Sequence, residues 1–155
     1  MNSRLLHAVC CSFGRRYNAC MNPTSRQQFD DMLQSILDEL PEHLHALLEE
    51  VPLIVEDEPS SLLLAEMDMD RSQDELCGLH WGVALTDRSV QESGQLPDRL
   101  MLFRGPIMRL AREEASESQG DFHEHLLEQI RITLLHEIGH HFGLDEDDLE
   151  ALGYG

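Results

Sequence analysis

His136-Glu137-Ile138-Gly139-His140-His141-Phe142-Gly143-Leu144-Asp145-Glu146 carries the pattern His-Glu-x-x-His. On an α-helix, residues four apart lie on one face, one turn apart. His136 and His140 can therefore aim two imidazole nitrogens at one point. Zinc accepts such nitrogens at about 2.0–2.1 Å and keeps a position open for water in catalytic sites. Glu137 is rotated by about 100° from His136. That offset does not suit a third ligand, but it lets a carboxylate reach a water held at the metal, take its proton and pass it to a leaving amine.

The surrounding sequence supports a helix. Leu127, Ile130, Leu134 and Ile138 recur at helical spacing, which predicts an amphipathic helix over about residues 121–142. Gly143 then offers the left-handed conformation that ends helices, and a run of acids follows at once. The alternative is a surface helix with incidental His and Glu.

Two imidazoles do not complete a catalytic zinc site; a third protein ligand is expected. Metzincins place a third His six residues after the second, past a Gly. Here Gly143 matches, but position 146 is Glu, and little chain follows for a distant ligand. The acids Asp145, Glu146, Asp147, Asp148 and Glu150 are the candidates, alongside a ligand from upstream. Register past the Gly favours Glu146, with Asp145 and Asp147 one residue away. The same run also reads as a solvated acidic cap on a short last helix, Asp145 to Leu152.

From Val51 onward the chain resembles the minimal zincin-like metallopeptidases, a small bacterial family. The resemblance rests on Leu53-Ile54-Val55-Glu56-Asp57-Glu58-Pro59, on Gly82-Val83-Ala84-Leu85-Thr86-Asp87-Arg88-Ser89, on the stretch from Leu96 to Ile107, and on the zinc motif. The last two are the specific ones. The family usually carries Asp where this chain has Glu146. The resemblance implies a compact α+β zincin core, one zinc per chain, and hydrolysis of a peptide or protein substrate.

Eleven basic and 30 acidic residues leave a net charge of −19. Such a surface repels nucleic-acid phosphates and anionic membranes, so neither is an expected partner. Solubility is the first consequence of this charge, and selection of cationic substrates a secondary one. No apolar run reaches the length of a membrane span.

The first twenty residues stand apart. They hold Arg4, Arg15 and Arg16, no acid, and Cys10, Cys11 and Cys20 out of 4 cysteines. Their apolar run is too short for a signal peptide, and no Cys-x-x-Cys spacing suggests metal. Residues 1–22 read as a disordered extension and 23–155 as the domain, with Met21 a plausible alternative start. Cys77 reads as a buried thiol, and a chain without disulfides fits a reducing cytoplasm.

The expected fold class is α+β: two N-terminal helices, a small mixed sheet of three or four strands, and the zinc helix packed across it. The first helix runs from a Thr24 or Ser25 cap to about Leu40, and Pro41 opens a second, to about Glu50. Residues 52–56, 79–85 and 99–103 read as strands. Residues 60–65 are ambiguous, 66–75 and 91–97 read as loops, 107–112 as a short helix, and 113–120 as a mobile connector. His43 and His45 read as surface residues, and Trp81 as a cleft residue or a packed core residue. His125 lies roughly 16 Å along the helix from His136, too far to share a metal. His141 points about 100° from His140, toward solvent or at most toward a hydrogen bond in the transition state. In zincins an edge strand commonly receives substrate by strand addition, and Arg99–Phe103 is the expected strand.

Three functions compete on these residues. The first is a zinc peptidase using Glu137, His136, His140 and Glu146. The second is a non-catalytic zinc-binding or partner-binding module on the same core. The third is an acidic interaction protein that mimics nucleic-acid charge. An intact Glu137 favours the first, since a structural site has no use for it.

Overall fold

The computed structural model describes residues 6–12, 21–69, 74–83 and 98–153, with the backbone alone for residues 6–12 and 74. The elements in order are β1 (Leu6–Ser12), α1 (Pro23–Glu39), α2 (Glu42–Glu50), β2 (Leu53–Glu56), α3 (Ser61–Glu66), β3 (Asp74–Trp81), β4 (Arg99–Phe103), α4 (Arg104–Ser118), α5 (Phe122–Phe142) and α6 (Glu146–Ala151). The strands form one sheet in the order β1-β3-β4-β2. β3 runs antiparallel to both β1 and β4, and β2 runs parallel to β4. This is the mixed α+β arrangement the sequence implies, with α5 lying against β3, β1 and β4.

Alternation along β4 sets up two apolar layers. Leu100 and Leu102 join a core with Phe29, Leu33 and Ile36 of α1, Ile107, Met108 and Ala111 of α4, and Leu126, Ile130, Leu134 and Ile138 of α5. Met101 and Phe103 face the other way, onto Leu64 of α3 and Leu76 and Leu79 of β3. In β3 the register with β1 skips Cys77, since Val9 pairs with Gly78 and Cys10 with Leu76. That extra residue shifts the alternation, so Gly78 and His80 face α5 while Leu76 and Leu79 stay in the second layer. Bulges commonly re-aim side chains in this way.

The structure corrects several expectations. The extension expected to be disordered over residues 1–22 contains β1, paired in register with β3 over Leu6–Ser12; residues 1–5 and 13–20 lie outside the described residues. The physical reason is that the backbone of a strand edge pairs with any extended segment, whatever its composition. β4 is not an edge, being paired on one side to β3 and on the other to β2, so Arg99–Phe103 has no edge to offer a substrate. The segment 113–118 is the second half of α4, not a connector, because Ala111 and Ala115 bury against their neighbours one turn apart. Gln119 then ends the helix in the left-handed conformation, at φ 56°. Residues 74 and 75 open β3 instead of closing a loop. The expected strand residues 84 and 85 and the expected loop 91–97 lie outside the described residues. Ser60 resolves the ambiguous segment as a helix, since its hydroxyl accepts from Leu63 N at 3.1 Å. Asn22, not Thr24 or Ser25, caps α1, accepting from Ser25 N at 2.8 Å.

One ion network ties the N-terminal helix to the sheet. Asp57, just after β2, accepts from Arg26 Nε at 2.7 Å and from Arg104 at 3.2 Å, and Arg104 also donates to Asp30 at 2.8 Å. The hydrogen bond from Arg26 is the main reason the Asp57 carboxyl is held below its ordinary range, and it outweighs the opposing effect of burial. A depressed carboxyl contributes stability above its unfolded pKa of about 4, and loses it as the pH falls through the lower folded value. Asp57→Asn is expected to cost about 1 kcal/mol at neutral pH. Its thermal midpoint should converge on that of the parent chain below pH ~4. A gap that stays constant with pH in thermal melts would contradict this.

Candidate metal centre

α5 is built to deliver its C-terminal turns to the sheet. Asp121 caps its start, accepting from the amides of His123 and Glu124 at 2.9 and 3.1 Å. Residues 136 to 141 are all buried, although four of the six are ionisable. Gly143 ends the helix at φ 88°. Its amide donates to His140 O and that of Leu144 to Gly139 O, both at 3.0 Å. This left-handed reversal sends the chain back along the helix. Leu149 of α6 then seats on Gly139, where an added Cβ would collide with its Cδ2.

The reversal brings Glu146 to the two imidazoles. Its carboxylate oxygens stand 3.4 Å from His136 Nε2 and 3.3 Å from His140 Nε2. The rings of His136 and His140 lie 4.5 Å apart between centroids, edge to face. These oxygen–nitrogen distances are long for hydrogen bonds, whose usual range is about 2.7–3.2 Å. Ligands at 2.0–2.1 Å from a tetrahedral zinc stand about 3.3–3.4 Å from each other, so the donor set fits the ion's coordination edges. Both imidazoles are buried, at 3% and 1% exposure, whereas the Glu146 side chain is 63% exposed. The acid thus closes the set from the solvent side. His140 Nδ1 lies 3.1 Å from Leu144 O. An Nδ1–H donated to that carbonyl leaves Nε2 as the lone-pair nitrogen, the tautomer a metal ligand needs.

The neighbouring acids are otherwise employed. Asp145 is the N-cap of α6; its carboxylate accepts from Asp148 N at 2.9 Å, and the Asp148 carboxylate accepts from Asp145 N at 3.3 Å. Asp147 is exposed in the first turn of α6. Of the acids the sequence leaves open, Glu146 is the one the structure brings to both histidines.

Glu137 is wholly buried. It lies about 100° round α5 from His136, against β3, and a Cβ on Gly78 would stand 2.7 Å from its Oε1. The remaining histidines divide. His43 and His45 are exposed as expected, and His125 sits at the far end of α5, 2.9 Å from Ser118. Trp81 packs in the second apolar layer with Arg99 over its ring at 4.9 Å. Cys77 is fully buried, as its reading implies.

His141 departs from expectation. It is 2% exposed, not solvent-facing, because the face of α5 that carries Glu137 carries His141 one turn later, and β3 covers both. Among the described residues it forms a second His and acid group with His80 and Asp98. Only the His-His doublet hinted at this in the sequence; nothing pointed to Asp98.

A family model described as zincin-like metallopeptidase matches residues 48–155. No curated protein matches the chain.

Proposed function

The chain belongs to the zincin-like metallopeptidase family, and on that premise we propose that it hydrolyses peptide bonds with one zinc held by His136, His140 and Glu146. The observation that carries this reading is the approach of the Glu146 carboxylate to both Nε2 atoms at 3.3–3.4 Å. A zinc held by these residues would acidify a bound water and polarise a carbonyl. His136 and His140 supply neutral nitrogens from consecutive turns. Glu146 supplies the negative charge, and the Leu144 carbonyl orients one imidazole. Glu137 takes a proton from the attacking water and returns it to the departing amine. Its contact with Gly78 holds the carboxylate in place. The substrate is a peptide or protein.

Zinc content and turnover test the reading together. The chain, prepared without a histidine tag, should carry zinc by elemental analysis and cleave members of a peptide library when metal-loaded. The complete burial of Glu137 favours one rival, a zinc-binding module without turnover. Bound zinc with no cleavage of any library member would select that rival.

Gly78 gives a sharper check. An alanine there meets Glu137 Oε1 at 2.7 Å and Thr133 Cγ2 at 2.8 Å, so the carboxylate must turn away. A displacement of about 1 Å in a reacting group costs on the order of 10²-fold in rate. Gly78→Ala should therefore lose activity by about that factor while keeping its zinc. Unchanged kcat/KM would show that Glu137 is not held by this contact.

A further inference from the structure

On the face of α5 that meets β3, three polar side chains from three elements converge. His141 Nδ1, in the last turn of α5, lies 3.3 Å from His80 Nε2 on β3 and 3.5 Å from Asp98 Oδ2, just before β4. His80 is fully buried and His141 nearly so, while the Asp98 side chain is 13% exposed. The two rings meet edge to face, with centroids 5.2 Å apart. All three ligand atoms lie within 4.8 Å of one another.

From this geometry we propose that His80, Asp98 and His141 form a second site for a divalent transition metal, with zinc as its ion. A single atom, His141 Nδ1, faces both partners, and a neutral imidazole nitrogen carries at most one proton. Both separations exceed the usual hydrogen-bond range of about 2.7–3.2 Å. At 3.3 and 3.5 Å, they lie close to the 3.3 and 3.4 Å spacings of the His136, His140 and Glu146 set. Two nitrogens and one carboxylate oxygen form a donor set suited to zinc. The carboxylate is also supported as metal-binding carboxylates are. Its Oδ1 lies 3.4 Å from Val83 N and over Gly82, where an added Cβ would collide with it. That leaves Oδ2 turned toward His141. A metal here joins β3, the entry to β4 and the end of α5, next to the turn that carries Glu146. It is separate from the single zinc the proposed hydrolysis requires.

The test saturates the full chain, without a histidine tag, with Zn²⁺, removes excess by gel filtration, and counts zinc per chain by elemental analysis and native mass spectrometry. Two ions per parent chain are expected, and one in each of Asp98→Asn, His80→Gln and His136→Ala. One ion per parent chain that disappears in His136→Ala overturns the second site and leaves the first intact. Two ions retained in both Asp98→Asn and His80→Gln also overturn it, since the second ion then lies elsewhere. Should those variants fail to fold by circular dichroism, Co²⁺ titration of the metal-free parent decides. Visible absorption should rise to two equivalents, and saturation at one overturns the proposal.

Discussion

Glu137→Gln is expected to keep its zinc and to hydrolyse peptides at least ~10²-fold more slowly than the parent chain. The amide matches the carboxylate in shape, so its seat against Gly78 is preserved. It cannot accept a proton, so the water loses its base. The factor corresponds to about 2.7 kcal/mol of transition-state stabilisation. The measurement pairs kcat/KM on a cleavable library peptide with zinc content on the same sample. Near-parental hydrolysis by a fully zinc-loaded Gln variant would remove Glu137 from the chemistry.

Replacing the acids after Gly143 one at a time should give the second large effect. Glu146→Ala removes a carboxylate that lies 3.3–3.4 Å from both imidazoles. Its zinc affinity should fall by more than the roughly 10–100-fold typical of losing a residue that only supports a ligand. Asp145→Ala removes the cap of α6 instead. Its main cost should be about 1 kcal/mol of stability, with a smaller loss of zinc as the helix start loosens. Asp147→Ala should bind zinc as the parent does. Competition against a zinc-chelating dye reads all three. If Asp145→Ala or Asp147→Ala weakens zinc most, the third ligand is one residue from the position assigned here, and the two histidines stand.

The parts read correctly from sequence were those set by local periodicity. Leu127, Ile130, Leu134 and Ile138 repeat at the helical period, and α5 runs from Phe122 to Phe142 within a residue of the reading. β4 was equally plain, bounded by Asp98 and the Gly105-Pro106 pair. Polar composition reads as loop in two places where the chain forms regular elements. The end of α4 is rich in Glu and Ser, yet Ala111 and Ala115 pack one turn apart and carry the helix to Ser118. The start of β3 is acidic too, yet Leu76 is buried and Glu75 pairs with Arg109 at 2.7 Å.

By itself, the sequence determined the α+β class, the helix that carries His136 and His140, and the reversal at Gly143, because each follows from spacing along a few consecutive turns. It could not choose among Asp145, Glu146 and Asp147, since all three lie within reach of the same turn. Tertiary structure separates them by position: Asp145 is taken up by capping α6, and Leu149 seats that helix on Gly139 with Glu146 beside the imidazoles. Tertiary structure alone also turned His141 inward. A bulge at Cys77 aims Gly78 and His80 at α5, so the flank that helical geometry assigned to solvent meets Asp98 and His80 instead. Residues 80, 98 and 141 are too far apart in the chain for any local period to relate them, and only the packing of sheet against helix brings them together.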